Sequence, residues 1–371
     1  MIYFVAILVF ITVIYLYSIG WVIIGFIGER SKKKNELGEE SKKISVIIPV
    51  RNEEKSILNC LESLKNQDYN KSNFEIIIIN DHSTDKTKEV VDAFISTCEL
   101  NINLVDLIDE TSKKEGLKYG IGKSKYDIIA TTDADCTLPK NWLKNISNQV
   151  NSKTEMLLGP VMFKQKRGLL SNFQMLDMLA IQGMEFGAIY FKNPILNNAA
   201  NLSYLKEAFN NVGGFDSFET PSGDDVFLLE KFNIDNKNVK GLLAKDFVVE
   251  TETESTFSSF LNQRLRWSSK TKYYSNKLLL FFSTIVLIQN ISLIFIYLCI
   301  PLVEKYSTIL VILLFSKWLI DFILLFLVAS FFRREKALFY FIPVQVIYPI
   351  YIVVVWIASM IMTFEWKGRK F

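Results

Sequence analysis

The stretch FEIIIINDHSTDKT, Phe74 to Thr87, decides how the middle of this chain folds. Four consecutive isoleucines do not alternate with polar residues, so the strand they predict is buried on both faces. The run stops at Asn80 and Asp81. Ser83, Thr84 and Asp85 then supply residues that cap helices, and Val90, Val91, Phe94 and Ile95 follow at helical spacing. The same strand-then-helix unit recurs on either side. ISVIIPV (44–50) precedes a helical pattern on Ile57, Leu58, Leu61 and Leu64, and INLVDLI (102–108) and YDIIATTDAD (126–135) read as two more strands. Four such units predict an α/β domain with a mostly parallel sheet covered on both faces. Ligands of open sheets of this kind bind at the carboxyl ends of the strands, near a switch in strand order.

The polar residues that end the strands therefore carry the chemistry. In TTDADC, Thr131 to Cys136, Asp133 and Asp135 are two residues apart. They share one face of an extended strand, and a turn there lets both oxygens converge on a hard divalent cation. Magnesium or manganese keeps waters and substrate phosphates in its shell and needs only one or two protein carboxylates. Two acids closing an apolar strand are costly without a partner; the alternative is a solvated turn. In PSGDDVFLLEKF, Asp224 and Asp225 open a helix, where the dipole favours acids in any case. His82 is the only histidine. Unless it serves, general-base work falls to a carboxylate, and a multi-histidine zinc site is excluded. Cys60, Cys98, Cys136 and Cys299 show no metal-ligand spacing and fit reduced cytosolic thiols.

The 371 residues are 50% hydrophobic with a mean hydropathy of +0.22, and the excess collects at the two ends. Residues 2–27 carry no charge and exceed the roughly 20 apolar residues that cross a bilayer. No basic region precedes them and no small-residue cleavage site ends them, which predicts a retained anchor. Three more apolar runs cover about 278–301, 308–332 and 338–364. The expected division is an amino-terminal span in 1–28, a cytoplasmic α/β domain with an interfacial helix in 29–277 and a membrane domain with three spans in 278–371. Basic residues after the first span (Arg30, Lys32, Lys33, Lys34), before the second (Lys270, Lys272, Lys277) and between the third and fourth (Arg333, Arg334, Lys336) place the middle of the chain in the cytoplasm. The basic tail WKGRKF conflicts with four full spans, and Pro343 and Pro349 make the last segment a candidate for a kinked or re-entrant path. Lys317 and Asp321 predict an i, i+4 pair facing the bundle, and Gln289 and Asn290 are candidates to line a pore. A net charge of +3 is too small to suggest nucleic acid; the basic clusters fit a membrane surface.

Seven segments in order resemble glycosyltransferase family 2, the inverting nucleotide-sugar enzymes with the GT-A fold: SVIIPVRNEE, INDHSTDKT, KKEGLKYGIGKS, TTDADC, NLSYLKEAFNNVGGFD, GDDVFLL and QRLRW. The resemblance runs from about Ile44 to Trp267. It implies that Asp81 contacts the uracil base, Lys114 lies near the diphosphate, and Asp133 and Asp135 hold nucleotide and a divalent cation, Mg2+ or Mn2+. Asp225 would be the general base, with Asp224 in place of the usual glutamate. Asn80 stands for the first acid of the family's turn and His82 for its glycine. In QRLRW, Gln263, Arg266 and Trp267 share a helix face, which the resemblance puts over the diphosphate and the acceptor; an interfacial helix with Trp267 at headgroup level is the other reading. The expected activity is transfer from a UDP-sugar to a membrane-associated acceptor. A lipid is preferred to a growing glycan because few spans remain for a polymer channel. A processive polysaccharide synthase is the alternative, and a non-enzymatic nucleotide-sugar sensor the remote one.

Overall fold

In a computed structural model the chain is described over residues 2–32, 41–107, 113–216, 224–362, 365–366 and 369–370, with the backbone alone for Lys113, Asp224 and the last four. It opens with helix α1 (Ile2–Ser31) and enters the sheet through β1 (Ile44–Val50), α2 (Ile57–Lys65), β2 (Phe74–Asn80), α3 (Thr87–Ser96), β3 (Ile102–Asp106), α4 (Lys113–Lys123) and β4 (Ile128–Thr131). All seven residues of β2 are buried, as its unbroken isoleucine run requires. Strands β1, β2, β3 and β4 pair in parallel, with β1 between β2 and β4. The strand order therefore reverses beside β1. The fourth strand is shorter than its sequence pattern, because the chain turns after Thr131 and carries the aspartates out of the ladder.

The chain continues through α5 (Trp142–Gln149), β5 (Met156–Leu158), β6 (Val161–Phe163), α6 (Leu169–Tyr190), β7 (Leu202–Leu205), α7 (Lys206–Asn211), α8 (Asp224–Ile234), β8 (Val239–Gly241) and β9 (Val249–Thr251). Strand β7 adds antiparallel to β4, and β5 and β8 extend that edge, giving the order β3-β2-β1-β4-β7-β5-β8. Helices α9 (Phe257–Ser268), α10 (Lys277–Cys299), α11 (Ser307–Phe332) and α12 (Phe341–Ile361) follow, then a hairpin of β10 (Glu365–Trp366) and β11 (Arg369–Lys370). One amino-terminal and three carboxyl-terminal helices are long and apolar enough to cross a membrane.

Helix α6 joins the two halves. Glycine lets α1 approach it at backbone distance: a Cβ on Gly25 would lie 2.2 Å from the Gly187 carbonyl oxygen, and one on Gly187 would lie 2.7 Å from that of Val22. Gly183 meets Leu324 and Val328 of α11 on another side of α6. The helix is therefore packed core rather than a helix lying free on the surface. Deeper in the membrane half, Lys317 pairs with Asp321 at 2.7 Å, as its spacing predicts. The pair is joined by Gln345, which accepts from Lys317 at 2.7 Å and donates to Asp321 at 2.9 Å, and by the Tyr15 hydroxyl, which donates to Asp321 at 2.7 Å. Gln289 and Asn290 are buried in the bundle and satisfied in part by Thr12 and the Val286 carbonyl, so neither lines an open pore.

Helix α12 passes through Pro349 without a break. Its two flanks meet the same domain. Before it, Arg334 donates to the Phe163 carbonyl at 3.1 Å and pairs with Glu250. The next segment doubles back along α11, which brings the Phe341 and Phe322 rings to 5.2 Å. Near its end, Ser359 meets Ser268 of α9 at 3.1 Å, about two turns beyond the stacked rings of Tyr351 and Phe260. Helix α12 is thus tied to one domain at both flanks, the arrangement that a re-entrant path would need. A reporter fused after Phe371 is expected on the same side of the membrane as the catalytic domain. Protease or fluorescence readout on the opposite side would mean that α12 crosses.

Candidate active site

At the carboxyl edge of the sheet, where the order reverses, lies a cavity of 720 Å³. Its first wall is the ends of β1 and β2. The Asp81 backbone N–H donates to the Val50 carbonyl at 2.9 Å. Arg51 Nη1 donates to the Asp81 carbonyl at 2.9 Å and lies 3.6 Å from Asp81 Oδ1. The two departures from the family's turn both make structural sense. His82 adopts φ 55°, the left-handed region that glycine enters freely and histidine tolerates better than most residues, so the turn keeps its shape; its Nδ1 sits 3.0 Å from Asp81 Oδ1. Asn80 donates to Asp106 at 2.7 Å and accepts from the Ser83 N–H at 3.2 Å; an aspartate there would oppose the Asp106 carboxylate. Asp85 accepts from the Thr87 N–H at 3.0 Å and the Glu54 N–H at 3.1 Å, a capping role rather than a ligand contact.

The second wall is the turn after β4. The Cys136 N–H donates to the Asp133 carbonyl at 3.1 Å, and Thr137 pairs with Glu250 on both backbone sides, fixing the turn to β9. Asp133 and Asp135 both line the cavity. Thr251 Oγ1 orients Asp135 through a 3.0 Å hydrogen bond to Oδ2. Among the described residues no group of three His, Cys, Asp or Glu side chains is arranged to hold a metal ion. The donor set is two carboxylates, which fits a hard cation completing its shell with water and phosphate oxygens. The buried thiols of Cys60 and Cys136 lie behind this turn. Burial first, and then the charges of Asp135 and Asp133, push both up.

The third wall carries Asp225, on the first turn of α8. Its Oδ2 accepts from the Ala199 N–H at 3.2 Å, its Oδ1 from the Val226 N–H at 2.9 Å, and Lys270 Nζ lies 3.9 Å from Oδ1. The Asp225 carbonyl is held by Asn197 at 3.1 Å. Helix α9 begins at a capping box of Thr256 and Ser259 and turns Gln263, Arg266 and Trp267 toward the cavity. Gln263 is held by Glu254 at 3.3 Å. Arg264, the other arginine of QRLRW, faces away: it pairs with Asp177 of α6 at 3.0 Å and lies over the Trp267 ring at 4.2 Å. The QRLRW stretch thus has two jobs, one facing the cavity and one clamping α9 to α6.

The cavity does not end at the sheet. Leu279, Phe282, Ser283 and Val286 of α10 also line it, so one wall is the start of an apolar helix long enough to cross a membrane. Lys114 does not line the cavity; it lies on α4, where its charge acts on Asp216 and Lys231. The Asp224 side chain falls outside the described residues. Four residues of the site escape a reading of the sequence. Lys270 reads there only as a basic juxtamembrane residue, Arg51 only as the residue after a strand, and Gln182 and Glu185 only as polar interruptions of an apolar helix.

Residues 45–212 match the sequence model of the family described as glycosyl transferase family 2, and the domain they form belongs to that family. A probable glycosyltransferase of Sulfolobus acidocaldarius is 26% identical over 234 residues, 61% of this chain and 49% of that protein. The glycosyltransferase AglE of Haloferax volcanii is 32% identical over 126 residues, 34% of this chain and 41% of that protein. The probable glycosyltransferase YdaM of Bacillus subtilis is 26% identical over 254 residues, 67% and 59% respectively. The chain spans about half the length of the curated relatives it matches. Among solved structures, a mannosyltransferase of Pyrobaculum calidifontis in complex with GDP-mannose and Mn2+ superposes with a TM-score of 0.62 at 15% identity, over 92% of this chain and 99% of that one. The fold is GT-A-like.

Proposed function

We propose that this chain is a membrane-bound, inverting glycosyltransferase that moves a sugar from a UDP-sugar to a lipid-type acceptor, with its catalytic domain facing the cytoplasm. The observation that carries the reading is the continuity of one cavity from Asp133, Asp135 and Asp225 to Leu279, Phe282 and Val286 of the first carboxyl-side apolar helix. A soluble acceptor needs no apolar wall beside the base; an acceptor anchored in the bilayer does.

In this reading Asp81 and Arg51 receive the nucleotide base end, and Asp133 and Asp135 would hold Mg2+ or Mn2+. The bound cation would supply charge neutralisation for the leaving nucleoside diphosphate. Arg266 and Gln263 close over that diphosphate from α9, where the planar guanidinium suits phosphate oxygens. Asp225 accepts the proton of an acceptor hydroxyl as its oxygen bonds to the anomeric carbon. The bond from that carbon to the diphosphate breaks on the opposite side, and the configuration inverts. The backbone donors at Ala199 and Val226 aim the Asp225 carboxylate, and holding both substrates in line supplies a large share of the rate.

Replacement Asp225→Asn is expected to lower turnover by about 10²-fold or more while nucleotide-sugar affinity, measured by calorimetry, stays within twofold (roughly, since the donor contacts lie elsewhere). Unchanged turnover would remove Asp225 from the base role. The acceptor class is tested with purified protein, manganese, total membrane lipid and labelled UDP- and GDP-sugars. The expected label partitions into organic solvent. Label in a high-molecular-weight aqueous fraction would make the protein a processive synthase, and nucleotide-sugar binding without transfer would make it a sensor.

A further inference from the structure

Helix α6 presents a second face to the catalytic cavity. Met178, Gln182 and Glu185, spaced four and three residues apart, all line it, while Gly183 and Gly187 face the membrane helices. Glu185 is 1% exposed. Its Oε2 accepts from Gln182 Nε2 at 2.7 Å, and Gln182 is itself fixed by accepting the Val161 N–H at 3.1 Å. Its Oε1 has no hydrogen-bond partner among the described residues. A buried carboxyl oxygen left without a partner is costly, and a well-packed apolar residue would be cheaper for the fold alone.

We infer that Glu185 is an acceptor-recognition residue that hydrogen-bonds a second hydroxyl of a neutral polyol headgroup beside the hydroxyl activated by Asp225. The inference rests on the base role of Asp225, and it narrows the acceptor to sugar- or glycerol-type headgroups. Burial pushes the Glu185 carboxyl well above the usual carboxylate range, with the Gln182 hydrogen bond opposing and the Asp225 charge adding to the rise. A protonated carboxyl offers a donor and an acceptor, the pair a hydroxyl answers. A phosphate monoester fits poorly. It would bring negative charge between Asp225 and a carboxyl that has no cation of its own to meet it, and its oxygen is already ionised and needs no base.

The test compares the wild type with Glu185→Gln and Glu185→Met in nanodiscs, using octyl glucoside as the polyol probe and farnesyl phosphate as the counter-probe. Donor hydrolysis without acceptor is read in parallel. The wild type is expected to glycosylate octyl glucoside and not farnesyl phosphate. Glu185→Met should lose about tenfold in kcat/KM for octyl glucoside, mainly through KM, because a hydroxyl loses its partner. Glu185→Gln, which keeps a donor and an acceptor, should recover most of that loss. In Glu185→Met acceptor-free hydrolysis should fall less than transfer does, and the variant should be at least as heat-stable as the wild type. Transfer to farnesyl phosphate alone or to neither probe, equal kinetics for Glu185→Met, or hydrolysis falling in step with transfer would each overturn the assignment. Loss of the lipid reading is distinguishable: the wild type would then build aqueous polymer from membrane extract while still glycosylating octyl glucoside with the Glu185 dependence described.

Discussion

The arrangement depends on how closely α1 approaches α6. Gly25 and Gly187 meet with no room for a Cβ on either, and this contact docks the amino-terminal helix against the helix that also walls the catalytic cavity. Interfaces of small residues let backbones pack at short range where the hydrophobic effect gives no help. With α6 pinned by α1 and α11, its other face holds a fixed position relative to the sheet. The Asp177–Arg264 pair then fixes α9 to α6. Cavity, sheet edge and membrane helices thus share one helix as a common wall.

The polar groups of the site are held by the same economy of local bonds. Asp81 is positioned by backbone pairing to β1, Asp135 by Thr251, and Asp225 by the N–H groups of Ala199 and Val226. Each carboxylate is aimed before any ligand arrives, which is the condition for electrostatic preorganisation. The buried Lys317, Asp321, Gln345 and Tyr15 cluster follows the rule for charges inside a bilayer, where such groups pair within the bundle. Its hydrogen bonds join α1, α11 and α12.

Much of this was legible in the sequence where the signal is local. The buried strands announced themselves through β-branched runs, and the acids that end them fell at the sheet edge because strand ends are where polar residues survive. Asp133, Asp135, Asp225, Gln263, Arg266 and Trp267 do gather around one cavity. The short strands β5 to β9 were not legible: three or four residues carry no period, and the antiparallel β7 is set by its partners β4 and β5. Lys270 was hidden by its company, since a lysine in a basic run before a membrane helix has a sufficient reason to be there. Glu185 and Gln182 left a faint trace, two polar residues three apart in an apolar helix, which only the cavity makes meaningful. Lys114 matches its segment of the motif and lies on α4, outside the wall of this cavity.

The central claim is that the catalytic cavity opens to the bilayer through α10. The most direct test places a photo-crosslinking amino acid at Val286, which lines the cavity from that helix, in protein held in native membrane. Irradiation and mass spectrometry should find a lipid adduct at residue 286, reduced when a nucleotide-sugar turns over the acceptor. Crosslinks to protein alone, with no lipid attached, would contradict the account and separate the cavity from the membrane.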